Sequence, residues 1–271
     1  LMAEQQKEMS FLGHLEELRW HLVRSSAAIF IVAIVVFIFQ TTVYDQFLLA
    51  HLKPDFTTYQ FFCKTFGFIG IESDFCDVNF PSKLQSLELT QQFMSSIWVS
   101  LVLGVIVSFP YLLWEMWRFI APGLHPNERK KSRGFLFIAS LLFFTGVLFS
   151  YYVIAPMSVS FFYGYQISDS IVNNFTLNSY ISLITNTLLG VSLIFELPVL
   201  IYFLAKIGLV TPEFLKKYRK HAFVLVLILA AIITPPDVGT QIIVSIPIVI
   251  LYEVSIYIAK IVVKKQQKNA Q

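Results

Sequence analysis

The chain is poor in charge. Only 14% of its 271 residues are Asp, Glu, Lys or Arg, against roughly 25% in an ordinary soluble domain. Catalytic signatures are missing as well. There is no HExxH, no phosphate-binding glycine loop and no GxSxG, and the five histidines are scattered. These absences exclude a hydrolase built on a known nucleophile or zinc motif, and no metal, cofactor or nucleic-acid partner is expected. Cysteine is scarce, with two in the whole chain. No long stretch alternates polar and apolar residues as a soluble domain would.

What is present is hydrophobic length. Hydrophobic residues make up 56% of the chain, 27 of them Phe, and the mean hydropathy is +0.68. A helix needs about 20 mostly apolar residues to cross the hydrocarbon core. Runs at about 25–44, 89–114, 134–156, 175–205, 221–234 and 240–258 meet or approach that length. The last two are short and Pro235-Pro236 separates them, so they can form two spans or one re-entrant hairpin; we read two short spans. The expected fold is an all-α membrane protein with six transmembrane helices behind an N-terminal amphipathic helix, a single integral membrane domain over residues 1–271. Within the fourth run stands Glu196, alone in a stretch from Ser170 to Ala205 without other charge. A carboxylate at that depth costs a few kcal/mol on insertion scales and normally faces protein or a water-filled cavity. A proton- or ion-coupled solute transporter using Glu196 as its titrating group is the alternative function.

The basic residues are one-sided. Lys53, Lys64 and Lys83 share the first inter-span loop with six acidic residues, and every other Lys and Arg of the 20 lies in the N-terminal segment, the second loop, the fourth loop or the C-terminal tail. Short basic loops stay in the cytoplasm, so both termini are expected there. Cys63 and Cys76 both fall in the first outside loop. An oxidising compartment permits a disulfide between them, with an entropic value of about 3 kcal/mol in the chain-entropy picture. Two free thiols are the other option.

Two cytoplasmic segments stand out. From Ser10 the chain reads SFLGHLEELRWHLVR, an amphipathic pattern in which His14, Glu17, His21 and Arg24 share a stripe beside the apolar face. Spacing alone favours a solvated face with local Glu17–His21 pairing. The second loop reads WEMWRFIAPGLHPNERKKSR, with interfacial aromatics and Glu128 in a first helical turn after Asn127. Thr211-Pro212-Glu213 is a helix start.

HLEELR at 14–19, FIAPGL at 119–124 followed by Glu128, FELP at 195–198 and TPPD at 234–237 occur together and in this order. In that combination, from about Ser10 to about Lys264, the chain resembles the TatC family, the six-span core of the twin-arginine protein translocase. The resemblance implies a bacterial inner-membrane subunit that binds twin-arginine signal peptides and helps export folded proteins on the proton motive force. Its implied partners are TatA-type single-span subunits, with or without TatB-type ones, other copies of itself and the lipid bilayer. The twin arginines would be read by Glu17 and Glu128, with Arg19 and Phe119 in the same recognition region. Glu196 would lie in a concave groove that contacts partner subunits, and Thr234, Asp237 and Gln241 would serve partner contact and assembly. His125 and His21 stand where many members have Tyr and Arg, and the long first outside loop matches no general family feature.

Overall fold

In hydrocarbon every backbone N–H and C=O must be satisfied within its own segment, so long apolar runs become helices. The computed structural model describes residues 11–69, 80, 84–120, 132–168, 170–171, 173–233 and 238–270. Its helices are α1 (Phe11–Ile38), α2 (Thr57–Ile69), α3 (Gln91–Ile120), α4 (Ser132–Phe149), α5 (Ala155–Gly164), α6 (Leu177–Phe195), α7 (Leu197–Lys206), α8 (Pro212–Lys217), α9 (Arg219–Ile233) and α10 (Val238–Ala270). Among the described residues five segments are long and apolar enough to cross a membrane: Leu15–Ile38, Gln91–Ile120, Leu136–Gly164, Leu177–Lys206 and Thr240–Gln266. The remaining expected span corresponds to α9, which has 15 residues and so rises roughly 22 Å.

Four boundaries differ from the sequence expectation. The amphipathic segment and the first span are one uninterrupted helix, because nothing between Gly13 and Ile38 breaks the 3.6-residue period. That helix stops at Ile38 rather than near Tyr44, and after a short helical turn at Gln40–Thr42 the chain passes through a π-helical turn at Val43–Leu48 and a 3₁₀ turn at Leu49–Leu52. The fourth run is two helices, since Pro198 in the first turn of α7 cannot donate back into α6. The last helix, expected to be short, has 33 residues. It carries its apolar run on into the lysine-rich tail, where the charged side chains can leave the membrane.

Backbone contacts group the chain into two compact units, Leu1–Phe39 with Ile97–Ser140, and Gln40–Ser96 with Leu141–Gln271. In the first, α1 and α3 approach closely through a stripe of small residues four apart on α3, Ser100, Gly104 and Ser108. A Cβ at Gly104 would lie 2.9 Å from the Ile29 carbonyl oxygen and 3.2 Å from the Ala33 Cβ, so only glycine allows this approach. Ser108 Oγ donates to the Ala28 carbonyl at 3.3 Å.

The second unit holds an apolar core of Ile154, Val191, Ile194, Phe195, Val226, Ala230, Val244 and Ile248, drawn from α6, α9, α10 and the π turn before α5. A separate aromatic cluster of Phe47, Phe56, Tyr59 and Tyr151 encloses His51. Both His51 ring nitrogens face carbonyl oxygens, Nε2 that of Tyr151 at 2.9 Å and Nδ1 that of Leu48 at 3.2 Å. The Tyr59 hydroxyl donates to the His51 and Pro156 carbonyls.

Burial holds the His51 imidazole below its ordinary pKa, outweighing the two carbonyl contacts that favour the cation. In the unfolded chain the same ring titrates near 6.5. The unfolded state therefore takes up the proton first as pH falls, and stability that is complete above about pH 6.5 is lost below it. The melting temperature of the detergent-purified protein should drop between pH 7.5 and 5, and His51→Gln should shallow that slope. An equal slope in the variant would assign the acid sensitivity to other groups.

Candidate functional site

The best-defined polar site in the first unit is built where α1 begins and α3 ends. On α1 the spacing of Glu17, His21 and Arg24 puts all three on one stripe. On α3, Tyr111, Glu115 and Arg118 share another. These stripes meet at Glu115, whose side chain is 1% exposed. His21 Nδ1 lies 2.5 Å from Glu115 Oε2 and Arg24 Nε 3.4 Å from the same oxygen. Arg118 Nη1 donates to Oε1 at 3.2 Å, and the Tyr111 hydroxyl donates to it at 3.1 Å. A buried carboxylate is tolerated only when its charge is matched and its lone pairs are used, and here both conditions hold.

Beside this cluster opens a cavity of about 500 Å³ lined by Gly13, Glu16, Glu17, Trp20, His21, Arg24 and Arg118. Glu17 is half-buried at its wall. Among the described residues Glu17 makes no ion pair. The local Glu17–His21 pairing favoured by spacing is not formed, because His21 turns to Glu115 instead. Phe119 is half-buried with its ring edge-on to His21, centroids 6.0 Å apart. Arg19 is exposed and makes no ion pair among the described residues. Glu128 lies outside the described residues.

Glu115 carries no mark in the sequence that sets it apart. It sits within WEMWRF, where the aromatics read as an interface belt, and its partners His21 and Arg24 are more than 90 residues away. The available signal was a carboxylate inside an apolar run, the same feature that singles out Glu196.

Glu196 occupies the break between α6 and α7, capping the first and opening the second. The Phe143 backbone lies beside the carboxylate, yet neither of its buried oxygens has a hydrogen-bond partner among the described residues. The approach of α4 to this region depends on Gly146, where a Cβ would sit 2.8 Å from Ser192 Cα and 2.9 Å from the Phe195 ring. Of the other predicted partner-contact residues, Thr234 and Asp237 lie outside the described residues. Gln241 is half-buried on α10, its Nε2 donating to the Leu227 carbonyl of α9 at 3.3 Å. Cys63, on α2, is disulfide-bonded, while Cys76 lies outside the described residues. Among the described residues no group of three or more His, Cys, Asp and Glu could hold a metal ion.

Comparison with known proteins gives one answer. The family model described as Sec-independent protein translocase protein (TatC) matches residues 13–247. The chain is 42% identical over 267 residues to the Sec-independent protein translocase protein TatC of Blattabacterium sp. subsp. Periplaneta americana, covering 98% of this chain and 100% of that one. It is 35% identical over 263 residues to that of Carboxydothermus hydrogenoformans, covering 96% of each. A crystal structure of the twin arginine translocase receptor TatC in DDM superposes with a TM-score of 0.70 at 30% identity, covering 91% of this chain and 99% of that one.

An unsatisfied buried polar group costs about 1–3 kcal/mol. Replacing Glu196 with Leu should therefore raise the melting temperature of the isolated chain by several degrees, while any function that uses the carboxylate is lost. An unchanged or lower melting temperature would mean that the carboxylate is satisfied within this chain.

Proposed function

Because the chain belongs to the TatC family, as a subunit of the twin-arginine protein translocase embedded in a membrane, we propose that it is the receptor for twin-arginine signal peptides. Families of this kind are transport components and not enzymes, and membership replaces the solute-transporter alternative. In this reading the protein sits in the bacterial inner membrane with both termini in the cytoplasm, where the basic loops collect. Glu17 and Glu128 accept the peptide's two arginines, with Arg19 and Phe119 shaping the same region.

The observation that carries the reading is the state of Glu17. It is a half-buried carboxylate at a cavity wall, without an ion-pair partner among the described residues, in a cavity that Trp20 also lines. A guanidinium offers a planar fork of donors that one carboxylate can accept through two parallel bonds, which an ammonium cannot copy. An exposed indole beside it adds a face on which the same fork can stack. Hydrogen bonds to charged groups contribute roughly 1.5–3 kcal/mol each, so two arginines read by two acids give strong discrimination.

Glu196 serves the second half of the task. A buried carboxylate in a membrane segment, without a hydrogen-bond partner among the described residues, is suited to a donor from outside the chain, and we assign that donor to a TatA-type subunit, with or without TatB-type subunits. Thr234, Asp237 and Gln241 belong to the same partner-contact group, and copies of the chain assemble with these subunits around the cargo. Export of the folded cargo is driven by the proton motive force. In the first outside loop we assign the disulfide of Cys63 to Cys76.

The test is binding of a fluorescent twin-arginine signal peptide to the purified protein. Changing both arginines to lysine should weaken binding tenfold or more, and Glu17→Ala and Glu128→Ala should each do the same. Equal affinity for the two peptides would contradict the receptor reading.

A further inference from the structure

Glu17, His21 and Arg24 lie on one face of α1 at spacings of four and three residues, and such neighbours on a helix ordinarily pair with one another. Arg118 opens onto the same cavity. Left to themselves, Arg24 and Arg118 would neutralise the acids of a cavity whose remaining charges are Glu16 and Glu17, and His21 would bond to Glu17. An incoming arginine pair would then meet occupied acceptors and like charge. The structure avoids this by a single device: all three bases are bound to Glu115, a residue of α3 buried to 1% exposure.

We propose that Glu115 is a positioning residue for signal-peptide recognition, an internal counter-ion that ties His21, Arg24 and Arg118 against α3 so that the Glu17 carboxylate stays open. The inference rests on the reading of Glu17 as an arginine acceptor. It adds a residue to which neither spacing nor the motifs of the chain gave a role, and it explains why a recognition cavity for arginine is lined by two arginines of its own. The four groups on Glu115 use both of its oxygens, Oε2 with His21 and Arg24, Oε1 with Arg118 and the Tyr111 hydroxyl. Two of those partners keep much of their surface in solvent, Arg24 at 42% and Arg118 at 51% exposure. They can therefore swing back to Glu17 once Glu115 no longer holds them. The side chains are long and lose little by changing partner at an exposed site.

The experiment compares four purified proteins: the unaltered chain, Glu17→Gln, Glu115→Gln, and the triple variant Glu115→Gln/Arg24→Gln/Arg118→Gln. Each is titrated with the twin-arginine peptide and its Lys-Lys form at one fixed ionic strength. Glu115→Gln should weaken twin-arginine binding about tenfold, and the triple variant should recover affinity to within about threefold of the unaltered chain, because the released cations are gone. If Glu115 only braced the helices, the triple variant would be no better than the single one. Unaltered affinity in Glu115→Gln, or no recovery in the triple variant, overturns the proposal. Where Glu115→Gln lowers the melting temperature enough to obscure binding, Arg24→Gln/Arg118→Gln with Glu115 retained decides. Affinity at least equal to that of the unaltered chain supports the counter-ion role, and a tenfold loss overturns it. If the unaltered chain itself fails to prefer arginine, or Glu17→Gln leaves that preference intact, the reading of Glu17 falls and takes this inference with it. If those two controls behave as expected and only the Glu115 variants do not, the inference alone falls.

Discussion

A charge inside a membrane protein must find a partner or reach water, and this constraint orders the chain from end to end. The basic residues gather in short segments beyond the apolar runs, where they can leave the hydrocarbon. Three of the carboxylates on or beside the apolar helices stand differently toward this rule. Glu115 is buried and fully matched, with four groups on two oxygens. Glu17 stands at a cavity wall without an ion pair among the described residues. Glu196 is buried and unmatched among the described residues. The satisfied acid belongs to the chain's own architecture, and the unsatisfied ones are where an external ligand can be worth more than water.

The helices are placed so that these three states persist. Ser100, Gly104 and Ser108 bring α3 against α1, and that contact sets the two polar stripes across from each other at Glu115. Gly146 does the same for α4 beside the break that carries Glu196. At both crossings a methyl group would meet atoms closer than 3 Å, so the carboxylate geometry is inherited from glycine packing. In the second unit that geometry leaves a buried carboxylate whose oxygens have no hydrogen-bond partner among the described residues.

Much of this was legible in the sequence. Apolar length gave the helices, and the residues marked by a lone charge and a short motif, Glu196 and Glu17, stand at a helix break and at a cavity wall. The helix start at Thr211 is seen directly, its side chain accepting the Phe214 N–H at 3.2 Å. What the sequence hid are the relations that only tertiary contact creates. Glu115 and His21 are 94 residues apart, so the local His21–Glu17 pair looked the better choice. His51 gave no periodic signal, because its burial comes from an aromatic cluster assembled out of an irregular turn and distant helices. The continuity of α1 was hidden for a different reason. An amphipathic run passing directly into an apolar one changes composition without changing helical period, and a change of composition resembles a boundary.

The most direct test of the receptor account is a double-mutant cycle between Glu17→Gln and substitution of each signal-peptide arginine by citrulline, which keeps the planar shape and removes the charge. If Glu17 accepts one of the arginines, that pair should show a coupling energy of about 1.5–3 kcal/mol, and the other arginine should show much less. Effects that add to within roughly 0.3–0.5 kcal/mol for both arginines would mean that neither touches Glu17, and would contradict the account at its centre.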